Sequence, residues 1–163
     1  MKRAIIEKLE VELEQLDYEL KVTLPKELKI AADHGDLSEN AEYDAAKERK
    51  RFVESRISHL QKRISEILSV NLDAISEDTV GLGSEVELEN LDDGQIVKYS
   101  FVFPEEVDPE RGKISLASPV GKALIGKEEG DEAIITTPRE KKHFEIIKLK
   151  TIHDLRKEKS STN

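Results

Sequence analysis

The sequence predicts an α+β protein in which an N-terminal antiparallel α-helical coiled-coil hairpin, residues 1–75, precedes a small β-rich domain, residues 76–156. Three observations predict it. Apolar residues recur at steps of three and four through the N-terminal half. The period then switches to two near residue 85. Charged residues make up 37% of the chain, as many as the hydrophobic ones, and that suits long solvated helices better than one compact core.

In the first helix the apolar series is Ile5, Leu9, Leu13, Leu16 and Leu20, with glutamates on the other faces. It continues less regularly through Leu24, Leu28 and Ala31. Pro25 lacks a backbone N–H, so a kink is expected in a helix that otherwise runs on over residues 5–32, about 40 Å long. A second seam runs through Val53, Ile57, Leu60, Ile64 and Ile67, preceded by Ala41, Ala45, Ala46 and Phe52. The two seams pair antiparallel. Between them, Gly35 suits a helix end and Asp36 or Ser38 suits the cap of the next helix.

After residue 78, Val86 and Leu88 alternate with Glu85, Glu87 and Glu89, and Asp93-Gly94 marks a hairpin turn into a strand over 96–102. Further strands are expected at 113–117, 131–137 and 143–152. Ser118 as cap, Pro119 at the first position and Gly126 beyond the end predict a short helix. The polar tail 157–163 reads as disordered.

Composition narrows the function. Aromatics are 4% of the chain and Trp is absent, which argues against an aromatic-lined substrate pocket. With no Cys, disulfides, thiolate zinc sites and thiol nucleophiles are excluded. The Met-Lys-Arg start leads into no apolar stretch, so a cytoplasmic protein with no membrane partner is expected. A net charge of -9 disfavours free DNA as a partner and confines any nucleic-acid contact to a local basic patch.

The densest such patch is Lys47, Arg49, Lys50 and Arg51, in which Lys47, Lys50 and Arg51 share one helix face. A solvated face and an RNA-phosphate contact are both open. Tyr43 lies on the same helix and could stack on a base or pack against Leu37. Asp36 and Glu39, three positions apart at the hairpin turn, fit a capping box as well as a pair of metal ligands, and the spacing alone does not choose. His34 is more ordinary as a turn residue than as a ligand or proton shuttle. His59, His143 and His153 show no metal spacing.

The run His34-Gly35-Asp36-Leu37-Ser38-Glu39-Asn40-Ala41-Glu42-Tyr43 resembles the tip signature of the Gre transcript-cleavage factors. Ser118-Pro119, residues 123–127, Gly130-Asp131 and Thr137-Pro138 are similar to that family's C-terminal domain. The resemblance implies an FKBP-like C-terminal fold that docks on bacterial RNA polymerase, with Ser118 and Pro119 carried over as docking residues, and a hairpin that enters the polymerase secondary channel. The factor would then stimulate the polymerase's own hydrolysis of a backtracked RNA 3′ end, acting as an accessory and as a monomer. On this reading Asp36 and Glu39 are the catalytic carboxylates and hold Mg2+ jointly with the polymerase, none being bound by the protein alone. Tyr43, Lys47, Lys50 and Arg51 contact the RNA. The chain departs from the pattern at Ala31-Ala32-Asp33, where several relatives carry an Arg, and at Ala117, which can be acidic.

Two rivals follow from the same resemblance. A prolyl isomerase would need an aromatic pocket, for which this half offers only Tyr99, Phe101, Phe103 and Phe144. A channel-plugging inhibitor would not need the acidic pair.

Overall fold

The computed structural model describes residues 1–35 and 40–162. The chain divides into two compact units, Met1–Val70 and Asn71–Asn163.

The first unit is a helical hairpin. Helix α1 (Lys2–Tyr18) passes through a π-helical turn (Glu19–Thr23) into α2 (Leu24–Asp33), and α3 (Ala41–Ser69) returns alongside them. The cross-helix contacts show the antiparallel course. Lys2 Nζ donates to the Leu68 carbonyl at 3.0 Å, and Arg56 grips Glu12 at 2.7 and 3.0 Å. Nearer the turn, Arg49 grips Glu19 at 2.6 and 2.9 Å. These hydrogen bonds hold the Glu12 and Glu19 carboxyls below the usual carboxylate range.

On α3 the buried residues Ala46, Val53, Leu60 and Ile67 recur every seven positions. On the facing strand of the hairpin, Leu9, Leu16, Leu24 and Ala31 step by seven, eight and seven, with Leu16, Leu24 and Ala31 buried. The step of eight spans the π turn, whose extra residue keeps the seam on one side. There Leu24 N–H reaches back to the Glu19 carbonyl, and Pro25 follows directly. Helical backbone therefore continues past Pro25, and the irregularity it brings is a π turn with one residue taken up in it. Phe52, which precedes the seam, is 57% exposed with the Arg49 guanidinium 5.2 Å from its ring centre. It precedes Val53 by one residue, about 100° around the helix, and so misses the core.

The second unit is a five-stranded sheet in the order β3-β2-β1-β5-β4. The strands are β1 (Glu85–Asn90), β2 (Ile96–Phe101), β3 (Lys113–Ile114), β4 (Glu132–Thr136) and β5 (Lys141–Lys150), and all pairings are antiparallel except β2 with β3. The β1–β2 turn uses Gly94 at φ +72°, as Asp93-Gly94 predicts. One face packs Val86, Leu88, Phe101, Phe144 and Ile146 against Leu124 of α4 (Pro119–Leu124).

Two expectations need correction. The strand expected over 113–117 is only two residues long, because Ser115 turns the chain: its Oγ accepts from Ala117 N–H at 3.1 Å, and its carbonyl accepts from the Ser118 hydroxyl at 2.6 Å. Of the tail 157–163 expected to be disordered, residues 157–161 are instead part of helix α5 (Ile152–Ser161). A reciprocal capping box starts it, with Asp154 accepting from Thr151 N–H at 2.9 Å and Thr151 Oγ1 accepting from Asp154 N–H at 3.4 Å. Arg156 adds an ion pair to Asp73 at 2.7 Å, and His153 meets the Ile75 carbonyl at 2.8 Å.

Hydrogen bonds from the Thr151 backbone and hydroxyl hold the Asp154 carboxyl below its ordinary range. Its stabilisation is therefore present above the unfolded-state value and is lost as pH falls through the folded-state one. Asp154→Ala is expected to cost about 1 kcal/mol at neutral pH and much less in acid below the carboxylate range. Thermal unfolding at the two pH values checks this; an equal loss at both would remove the charged cap from the account.

Candidate functional site

The candidate site is the closed end of the hairpin. α2 ends at Asp33, with the His34 N–H bonded to the Ala31 carbonyl at 3.3 Å, and Gly35 follows at φ +137°, a conformation that L side chains rarely adopt. α3 starts at Ala41, and its cap is Asn40: the side-chain Oδ1 accepts from Tyr43 N–H at 3.1 Å. This assigns the cap of α3 to Asn40, where the sequence offered Asp36 or Ser38. Asn40 also reaches across the hairpin, its Nδ2 donating to the Ala31 carbonyl. The roles expected of Asp36 and Glu39 as ligands and of Leu37 as packing partner fall outside the described residues.

Along the first turns of α3 the basic run divides. Arg49 turns inward to Glu19, and their hydrogen bonds raise the Arg49 pKa as they lower that of Glu19. Lys47 sits 4.7 Å from the Tyr43 ring centre and 3.2 Å from Asp44. Lys50 lies 3.9 Å from Glu54, and Arg51 is exposed with no ion-pair partner among the described residues. These pairs are half exposed and weakly held. Lys47, Lys50 and Arg51 thus present positive charge at the surface while Arg49 is engaged by Glu19. His34 Nδ1 is 3.8 Å from Glu42, both exposed. Among the described residues no group of three or more His, Asp or Glu side chains is arranged to hold a metal ion.

In the second unit, Ser118 caps α4, its Oγ accepting from Gly121 N–H at 3.1 Å. Pro119 is exposed and lines a shallow hollow with Lys122, Ala123, Ile134 and Thr136. Ile134 is 54% exposed on the edge strand β4.

Residues 1–67 match the family described as transcription elongation factor, N-terminal, and residues 75–151 match transcription elongation factor, GreA/GreB, C-term. The chain belongs to the GreA/GreB family. It is 43% identical over 143 residues to transcription elongation factor GreA of Nitratidesulfovibrio vulgaris, covering 88% of this chain and 89% of that one. It is 42% identical over 142 residues to GreA of Helicobacter acinonychis, covering 87% of each. A crystal structure of GreA factor homolog 1 of Thermus thermophilus is similar at 34% identity and a TM-score of 0.41, over 88% of this chain and 93% of that one. The chain is thus a GreA-type transcription elongation factor. No helix among the described residues is long and apolar enough to cross a membrane.

Two features of these surfaces escape the sequence pattern. Asn40 was indistinguishable from the other good capping residues beside it, although the helical pattern after Ala41 was a usable signal. Ile134 alternates with the buried Ala133 and Ile135 on β4 and so stands on the face of the sheet turned away from the core. Helix α5 lies beyond residue 151, where the family match ends.

Proposed function

We propose that this elongation factor inserts the closed end of its hairpin into the secondary channel of RNA polymerase and stimulates the polymerase's intrinsic cleavage of backtracked RNA. One observation carries the reading. α2 ends at Asp33 and α3 begins at Ala41, so both carboxylates, Asp36 and Glu39, lie in the connection at the end of a hairpin whose return helix alone runs 29 residues, about 44 Å. A pair of carboxylates carried so far from the other chain ends suits delivery into another protein's site.

The donor chemistry fits magnesium, which takes hard oxygen ligands. Asp36 and Glu39 would hold the ion jointly with polymerase groups, RNA phosphate and water, which makes the factor an accessory to cleavage. Bound there, magnesium supplies charge stabilisation and a more acidic water. Lys47, Lys50 and Arg51 attract the phosphates of the displaced RNA, and Tyr43, steadied by Lys47, offers a ring for a base. The face holding Ser118, Pro119 and Ile134 docks the second unit on the polymerase.

The decisive assay is RNA cleavage by a stalled, backtracked polymerase with and without the carboxylates. The basic face has its own test. Replacing Lys47, Lys50 and Arg51 together by Ala is expected to leave the hairpin's melting unchanged, because the pairs lost are half exposed. It should raise the factor concentration for half-maximal cleavage about tenfold at low salt and flatten its salt dependence. An unchanged concentration and salt slope would take the patch out of the mechanism.

A further inference from the structure

Asn40 hydrogen-bonds the backbone of both helices at the closed end of the hairpin. Its Oδ1 accepts from Tyr43 N–H in the first turn of α3, and its Nδ2 donates to the Ala31 carbonyl in the last turn of α2, nine positions away. Ala31 is buried, so its carbonyl is poorly placed for water, and Asn40 gives it a second protein donor beside the His34 N–H. The Asn40 carbonyl also accepts from Asp44 N–H at 3.1 Å, completing the first turn of α3. Only a carboxamide of this length does all of this. Aspartate keeps the capping oxygen and loses the donor, while serine keeps a capping oxygen and is too short to cross the hairpin.

We infer that Asn40 is a positioning residue for transcript cleavage: by pinning α2 to α3, it fixes the two anchors of the connection that carries Asp36 and Glu39. The inference rests on the function proposed above and extends it to a residue that touches neither metal nor RNA. Glu39 is the covalent neighbour of Asn40, so the anchor lies one residue from a proposed metal ligand. Displacements of about 1 Å in a catalytic constellation can cost about a hundredfold in rate.

The experiment compares wild type, Asn40→Asp, Asn40→Ser and Asn40→Ala as full chains on a backtracked polymerase complex. Both Asn40→Asp and Asn40→Ser are expected to keep the cap, seen as retained hydrogen-exchange protection of the Tyr43 amide and an unchanged melting temperature. Both should reach half-maximal stimulation at the wild-type factor concentration, yet their maximal cleavage rate should fall about tenfold or more. Serine, being neutral, separates the lost donor from the added charge of aspartate. A wild-type maximal rate in Asn40→Ser with the cap intact would overturn the inference and leave Asn40 an ordinary cap. Loss of cleavage in Asp36→Ala beside full activity in Asn40→Ser would overturn the inference alone. Full activity in Asp36→Ala and Glu39→Ala would overturn the function on which it rests.

Discussion

Asp36→Ala and Glu39→Ala are each expected to slow factor-stimulated cleavage by about a hundredfold or more, at saturating factor, with polymerase binding and hairpin stability unchanged. The magnitude is that of removing one preorganised charge-stabilising group from a closed active site, about 3 kcal/mol in the transition state. The selectivity follows from the hairpin itself. Its seam is built from Leu16, Leu24, Val53 and Leu60, and the cap of α3 is Asn40, so none of these stabilising contacts draws on the two carboxylates. The expected signature is a fall in maximal rate with no change in the melting of the hairpin or in competition for polymerase. A parallel loss of binding would mean that the carboxylates dock the factor and do not act in the chemistry.

Gly121→Ala is expected to destabilise the second unit by about 3 kcal/mol, a large share of the stability of a small domain. A Cβ at Gly121 would stand 2.5 Å from the Leu116 Cα and carbonyl oxygen. These are backbone atoms that no rotamer change can move aside. α4 would have to lift, and Leu124, fully buried in the core, would lift with it. Ser118 and Pro119 open the same helix, so polymerase binding should weaken in step. Hydrogen exchange should show faster opening of β5 with α3 unaffected. Gly126→Ala is the control: its φ is +77° but a Cβ would meet nothing within 4 Å, so only the left-handed backbone cost of about 1 kcal/mol remains. Equal losses in the two variants would refute the packing argument.

The elements set by local periodicity were legible in the sequence. The seven-residue recurrence of Ala46, Val53, Leu60 and Ile67 needs no tertiary knowledge, and neither does the Asp93-Gly94 turn between alternating strands. The π turn was half legible: a step of eight from Leu16 to Leu24 just before Pro25 marks one residue too many for a regular seam, and was read only as irregularity. α5 was missed because composition outweighed a readable Thr151-x-x-Asp154 capping box, and because its ion pair with Asp73 spans 83 positions.

At the candidate site the difficulty was competition. Asp36, Ser38 and Asn40 are all good caps, and the bond that Asn40 makes to the Ala31 carbonyl across the hairpin is one no local pattern records. The fate of Arg49 was hidden for the same reason, since its partner Glu19 lies 30 positions away.

The central claim is that the hairpin end brings half of a magnesium site to the polymerase. Its most direct test is a magnesium titration of the cleavage rate in a backtracked complex, comparing polymerase alone, wild-type factor, and the isosteric amide variants Asp36→Asn and Glu39→Gln at saturation. Wild-type factor should shift the half-maximal magnesium concentration downward, and the amides should leave it where polymerase alone has it. A downward shift with the amides equal to that of wild type would contradict the claim.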